Sequence, residues 1–175
     1  AVTSGFDDAY WLERDRDGGF PEAFYDAFAS GGWLGLAMPE AYGGAGLGVT
    51  EAALMMMTVA GSGGAMAASS SIHMNIFGPH AIVSHGSEAQ KRRWLPGLIE
   101  GKYKMCFAVT EPDAGLATTR IATRAERASD NYVVYGQKIW TSTAQVAEKI
   151  MLLARTAPRR DEAPSEGLSL FFTDL

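Results

Sequence analysis

The chain has little of several things, and each shortage removes a class of protein. There is a single cysteine, Cys106, in 175 residues, so no internal disulfide can form and a reducing compartment fits. Basic residues are in the minority: 15 Lys and Arg stand against 20 Asp and Glu, a formal net charge of -5. That balance argues against nucleic-acid binding and against docking on anionic membranes. No apolar run approaches the ~20 residues of a membrane-spanning helix. The first residues, "AVTSGFDDAYW", hold no basic segment followed by an apolar stretch, so no signal peptide is read there. No methionine opens the chain, and a processed or longer parent is expected. Charge is low at 20%, yet hydrophobic residues make up 47%, enough to form a core rather than a disordered segment. We expect one large or two small domains.

The first hundred residues carry helical signals. "FPEAFYDAFASGG" places Pro21 at a first helical position, with Phe24, Ala27 and Phe28 on one face and Gly31-Gly32 as a stop. Thr50 is read as the cap of a helix running through Leu54 and Met55-Met56-Met57 to Val59. Ile72, Ile76 and Phe77 recur at helical spacing in a segment broken by Gly78-Pro79 and closed near Gly86. Ser87 with Gln90 three residues on is a capping-box pattern, and Pro96 is expected to kink or end that helix.

The character changes after Gly101. "KMCFAV", "TTRIATRAERA", "NYVVYG", "QKIWTS", "KIMLLART" and "LSLFFT" are short runs rich in Val, Ile, Thr and aromatics, parted by turn residues. They predict strands of an antiparallel barrel or sandwich. The fold class read here is α+β: an all-α domain over 1–102, then an incomplete antiparallel β-barrel domain over 103–175.

Most candidate sites have a plain structural reading. "GGAGLG" lacks the G-x-G-x-x-G spacing and no strand precedes it, so it reads as a connector; no G-x-x-x-x-G-K-[ST] occurs. His73, His80 and His85 have neither the spacing nor the carboxylate neighbours of a metal site and read as helix-surface residues, with no metal expected. Cys106 lies inside an apolar run and reads as a buried structural thiol. The three methionines read as core packing, and Lys91, Arg92 and Arg93 as a solvated helix face.

Two patches do not reduce so simply. "FAVTEPDAG" and "KIWTST" each end an apolar strand with hydroxyl residues: Thr110 in the first, Thr141 and Ser142 in the second. Trp140 adds a large aromatic plate. Neighbouring strand ends in a small barrel would let a heteroaromatic ring lean on Trp140 while its nitrogens and oxygens bond to amides and hydroxyls.

At these residues the chain resembles the acyl-CoA dehydrogenase family. "CFAVTEPDAGLATTRIATRAER" followed by "YVVYGQKIWTSTAQVAEKIMLLART" is similar to its central segment, in which a TEP-x-AG-S turn precedes a K-x-W-I-T strand. "WLGLAMPEAYGGAGLG", "HMNIFGPHAIVSHGSEAQKRRWLPGLIEGK" and "GLSLFFTDL" resemble further family segments in the same order. The resemblance implies a helical domain, a middle β-barrel and a C-terminal helical bundle that is not in this chain. It implies FAD as cofactor, with Phe107, Val109 and Thr110 against the flavin, and Trp140, Thr141 and Ser142 on the second flavin strand. The Ser142 hydroxyl is expected near the reactive flavin nitrogen.

Two departures stand out. Leu116 occupies the place of a serine that contacts the FAD pyrophosphate and the CoA moiety, so a backbone amide near Gly115 would have to serve. Thr141-Ser142 replaces isoleucine-threonine. Glu111 matches the structural glutamate of the turn and is not read as the base; no catalytic residue is assigned within the chain, and the isolated chain is expected to be inactive. The resemblance further implies an acyl-CoA substrate, an electron-transfer flavoprotein as acceptor, a homodimer or homotetramer, and a cytoplasmic location (the mitochondrial matrix in a eukaryote). A flavin oxidase or monooxygenase of the same fold, or a non-catalytic flavin-binding half, are the alternatives. If the flavin reading holds, Thr110 and Ser142 should converge.

Overall fold

The computed structural model describes residues 2–175, which divide into two compact units with the boundary between Met105 and Cys106. The fold is α-helical first and β second. In the helical unit, α1 (Asp8–Asp17), α2 (Glu22–Ser30), α3 (Val49–Ala60), α4 (Ala65–Phe77), α5 (His80–His85) and α6 (Glu88–Ile99) follow in order. Their apolar faces meet around Phe24, Tyr25, Leu34, Val59 and Ile72, all almost fully buried. Phe24 lies at the centre of an aromatic cluster, 5.0 Å from Trp11, 5.2 Å from Phe6 and 4.7 Å from Phe28 between ring centroids.

Local chemistry sets the helix ends. Pro21 holds the cap position of α2, and Gly31 ends it. The capping box at α6 is complete: Gln90 N–H donates to Ser87 Oγ, and Ser87 N–H donates to Gln90 Oε1 at 2.8 Å. Gly78-Pro79 separates α4 from α5, as the breaker pair predicts. Two expectations are corrected. The cap of α3 is Gly48, not Thr50, because Glu51 reaches back to accept the Gly48 N–H at 2.8 Å and the helix starts two residues earlier. Pro96 neither ends nor shortens α6, which continues to Ile99. The ring forfeits one backbone bond, but Leu95, Leu98 and Ile99 are buried around it, and that packing outweighs the loss.

The "GGAGLG" loop has a structural reason for its glycines. A Cβ on Gly44 would lie 2.1 Å from the Met38 carbonyl oxygen. The amides of Gly44, Ala45, Gly46 and Leu47 donate to Pro39, Gly35, Met38 and Leu36 carbonyls. The loop is stitched to the segment before it, and those amides are already engaged.

The β unit holds a five-stranded sheet built from β1 (Met105–Ala108), β2 (Arg124–Ala128), β3 (Asn131–Tyr135), β4 (Lys149–Arg155) and β5 (Leu168–Asp174). The order is β1-β4-β2-β3, with β5 paired to β4. β2–β3 and β4–β5 are antiparallel hairpins. The first closes through the two-residue loop Ser129-Asp130, with Ser129 at φ 56°. β2 and β4 run parallel and pair only at Arg124 and Arg155. The helical part followed by a partial β part is as read; within the β part the sheet is open and, at the β2–β4 contact, parallel rather than antiparallel. The cause is local: β4 leaves β2 after one residue pair. "QKIWTS", expected as a strand, forms no strand; residues 142–146 are turns. No helix among the described residues is long and apolar enough to cross a membrane.

Inside the helical unit one polar side chain joins three backbone groups. Asn75, buried in α4, donates to the Leu98 carbonyl at 3.2 Å and the Tyr103 carbonyl at 2.7 Å, and accepts the Met105 N–H at 3.1 Å. Asn75→Leu would keep the volume and leave those groups unpaired. The expected loss is about 2–4 kcal/mol of helical-unit stability, read by urea unfolding followed by circular dichroism; an unchanged midpoint would remove this bridge from the account.

Candidate functional site

The turn after β1 is organised by a carboxylate. Glu111 and Ala114 bond to each other through both backbone groups, N–H to carbonyl, at 3.1 Å each way. This closes the "TEPDAG" turn around Pro112. The Glu111 side chain points inward, and the residue is only 6% exposed. It accepts the Ala122 N–H at 2.6 Å and the Thr123 N–H at 2.9 Å. Lys138 Nζ donates to the same carboxylate at 2.9 Å and to the Val109 carbonyl at 2.8 Å. Burial alone would push the Glu111 carboxyl upward. Hydrogen bonds from Thr123, from the Ala122 N–H and from Lys138 outweigh it and hold its pKa at about 2. Glu111 is thus a fixed anion tying together residues 109–111, 122–123 and 138.

A close backbone approach lets Lys138 arrive there. Gly136, which follows β3, passes so near Thr123 that an added Cβ would stand 2.7 Å from the Thr123 Cα. Two residues later the chain is held against the turn after β1. Ile139 N–H donates to the Thr110 carbonyl at 2.9 Å. The two sequence patches therefore meet, at Thr110 and Ile139.

Beyond Ile139 the predicted strand fails. Trp140 takes φ 57° and Thr143 φ 65°, left-handed values that non-glycine residues rarely adopt. Ser142 N–H turns back to the Trp140 carbonyl at 3.1 Å rather than extending the pairing with Thr110. Thr110 and Thr141 are half-buried, Ser142 is exposed, and the Trp140 side chain is 85% exposed. Phe107 and Val109 are half-buried on β1 and just after it. Gly115 and Leu116 lie on the outer end of the turn: nothing stands within 4 Å of a Cβ placed on Gly115, and Leu116 is fully exposed. The structure joins the patches through Thr110, Lys138 and Ile139, and leaves Ser142 outside that pairing.

A second clamp is cationic. Arg155, buried at the end of β4, donates Nε to the Ile121 carbonyl at 3.0 Å, and its other nitrogens to the carbonyls of Thr119, Pro164 and Glu166. Its own N–H donates to the Thr123 carbonyl at 2.8 Å. Arg155 thereby fixes the segment whose amides hold Glu111. Sequence reasoning singled out neither Lys138 nor Arg155. The available signal was a cation at the edge of an otherwise apolar strand, since a buried cation demands partners.

The remaining candidates are accounted for locally. His73 Nδ1 lies 2.9 Å from the Ser70 carbonyl, and His80 Nε2 3.1 Å from Ser84 Oγ. No group of three or more His, Cys, Asp and Glu among the described residues is arranged to hold a metal ion. Cys106 is buried, and burial pushes its thiol up.

Comparison with known proteins gives consistent results. The family model for the acyl-CoA dehydrogenase N-terminal domain matches residues 8–102, and that for the middle domain matches residues 106–175. The chain is 35% identical over 150 residues to the acyl-CoA dehydrogenase FadE12 of Mycobacterium tuberculosis, covering 84% of this chain and 37% of that protein. It is 32% identical over 164 residues to mitochondrial isovaleryl-CoA dehydrogenase of Pongo abelii, covering 93% and 38%. The solved glutaryl-coenzyme A dehydrogenase in complex with glutaryl-CoA superposes with a TM-score of 0.84 at 27% identity, over 99% of this chain and 44% of that one. The chain spans less than half the length of these relatives.

The Glu111 clamp predicts an acid limb. A carboxyl held at about 2 in the folded state, against its ordinary 4.5, contributes stability that is full above pH 4.5 and is lost as pH falls toward 2. That contribution is on the order of 3 kcal/mol. Glu111→Gln should lower stability at pH 7 and flatten the loss between pH 4.5 and 2. A variant with the wild-type acid profile would show that another group carries it. Lys138→Met, which leaves the buried anion short of its cation, should cost about 3–5 kcal/mol at pH 7.

Proposed function

The chain belongs to the acyl-CoA dehydrogenase family, and from that premise we propose that it forms the helical and β parts of an FAD-dependent enzyme that desaturates an acyl-CoA thioester. The observation that carries this is the meeting of the "TEPDAG" turn with the Lys138–Ile139 segment, fastened by Glu111.

The residues present suit a flat polar ring. Such a ring needs edge donors, an apolar plate and room for close backbone approach. Thr110 and Thr141, both half-buried residues beside the junction, carry the hydroxyls. Trp140 supplies an accessible plate. Gly115 leaves open space on the turn. We assign Phe107, Val109, Thr110, Trp140, Thr141 and Ser142 to the flavin. Gly115 and Leu116 are assigned to the diphosphate and CoA side, where Leu116 contributes apolar contact and a neighbouring amide donates. FAD, when bound, supplies the hydride acceptor for the substrate β-carbon. The chain's own part is to seat the ring, exclude water with Trp140, and offer hydroxyl donors at the ring edge.

Proton removal needs a different group. Glu111 has a pKa of about 2 and its oxygens are occupied by two amides and a lysine, so it is a poor proton acceptor at neutral pH. We assign no base within residues 1–175 and expect no turnover from this chain alone. The names of the similar proteins support a coenzyme A thioester as substrate. We further propose an electron-transfer flavoprotein as acceptor, a homodimer or homotetramer as the working assembly, and a reducing compartment, the cytoplasm or a mitochondrial matrix. A second reading is favoured by Leu116: lacking a hydrogen-bonding side chain at this exposed position, the protein would be a flavin oxidase or monooxygenase of the same fold.

The test uses the full-length polypeptide that carries this chain. It should purify yellow, and anaerobic acyl-CoA should bleach its flavin absorbance. Electron-acceptor reduction without peroxide supports the dehydrogenase; stoichiometric peroxide release selects the oxidase. A colourless protein that takes up no FAD would overturn both.

A further inference from the structure

Few side chains here can take an acyl group from a thioester. Five of the 15 basic residues are lysines, and there is one cysteine. An amine attacks only when neutral, and a thiol only as the thiolate. Cys106 is buried, and burial pushes its thiol up, so it is withdrawn on both counts. All five lysines end on carboxylates. Lys138 Nζ lies 2.9 Å from Glu111, Lys104 Nζ 2.9 Å from Glu22 and Lys91 Nζ 3.4 Å from Glu88, while Lys149 pairs with Asp174. Lys102 Nζ lies 2.5 Å from Glu100. Accessibility separates them. The Lys102 side chain is 67% exposed and that of Lys91 20%; the other three are more covered still. Lys104 also lies over the rings of Phe20 and Tyr25.

The turn that presents Lys102 is fixed by its backbone. Glu100 caps α6, and Gly101 follows at φ 71°. Lys102 N–H then donates to the Gly97 carbonyl at 2.9 Å. This sets the Glu100 and Lys102 side chains together at the surface. The hydrogen bond to Glu100, and then its charge, raise the Lys102 pKa. We propose that Lys102 is an acyl-acceptor site for coenzyme A thioesters, with Glu100 as the group that slows the transfer. For its donor this rests on the acyl-CoA reading above. The ammonium first loses a proton to water. Nζ then attacks the thioester carbonyl carbon, a C–N bond forms and the C–S bond breaks. Coenzyme A leaves as its thiol, carrying the second proton from the amine, and nothing is oxidised or reduced. The amide is neutral, so acylation dissolves the pair with Glu100.

The test incubates the full-length polypeptide with acetyl-CoA under mildly alkaline conditions and follows each lysine by peptide mass spectrometry. Among the five lysines Lys102 should be acetylated first, several-fold ahead of Lys91, with Lys104, Lys138 and Lys149 unmodified while the protein is folded. In urea the five should level; a preference for Lys102 that survives unfolding would overturn the fold as its cause. Glu100→Gln removes the carboxylate and should speed acetylation of Lys102 by roughly two- to fivefold, with Lys91 unchanged as the internal reference. Lys102 no faster than Lys91, or a Glu100→Gln variant that acetylates Lys102 at the same rate or more slowly, would overturn the proposal. Flavin binding is read separately from the same preparation. Acetylation of Lys102 in a protein that takes up no FAD would overturn the flavin reading and leave this site standing; flavin bleaching with Lys102 unmodified would do the reverse.

Discussion

A buried carboxylate that must be satisfied from three directions organises the β unit. Glu111 draws in two consecutive amides, Ala122 and Thr123, and the Lys138 ammonium. An ionised carboxylate removed from water is tolerable only with such a set of donors. The set comes from segments that no local rule would bring together. Meeting the demand of one anion therefore fixes the path of the chain after β1, the approach to β2 and the exit from β3. Lys138 extends the linkage by donating to the Val109 carbonyl as well. The carbonyl and amide of Thr110 and Ile139 then come within bonding distance, and this junction brings the two quoted motifs together.

Arg155 answers the same problem with the opposite sign. Its guanidinium has no carboxylate partner in the interactions that hold it; it is surrounded by carbonyl dipoles of Ile121, Thr119, Pro164 and Glu166. A planar fork of five donors suits this arrangement and an ammonium would not. Arg155 gathers the carbonyls of a segment whose amides serve Glu111. The strand-like stretch 121–123 is thus gripped along both of its polar edges. The hydroxyl-bearing turn can be irregular because the frame beneath it is not.

What the sequence disclosed follows the range of the interaction. The Ser87–Gln90 box, the Gly78-Pro79 break and the stop at Gly31 rest on neighbours within four residues, and they are found as read. The strands β1, β3, β4 and β5 were legible from β-branched and aromatic runs. The family resemblance rested on two quoted motifs and is matched by the family models over 8–102 and 106–175. The missed features depend on distant partners. Lys138 finds Glu111 across 27 residues, and Arg155 finds Ile121 across 34. Pro96 survives inside α6 because Leu95, Leu98 and Ile99 beside it are buried, and burial is set by the fold rather than by the sequence window. The "KIWTS" stretch carries strand propensity, yet its ladder is a single bond, and turns prevail over propensity once pairing stops.

The lone parallel contact between β2 and β4 also sets the range of interaction on which the β unit depends. Each hairpin can close on its own chain neighbours, the β2–β3 pair through only two loop residues. Joining them depends on Arg155 reaching Thr123 and Ile121 across a long intervening stretch, and the loop-closure entropy of that step comes before any reward. The hairpins are accordingly local structures and their junction a long-range one. The rim around Thr110 and Ile139 has its shape only when Glu111 and Arg155 are both engaged, so it leans on the contacts of the β unit that lie farthest apart in sequence.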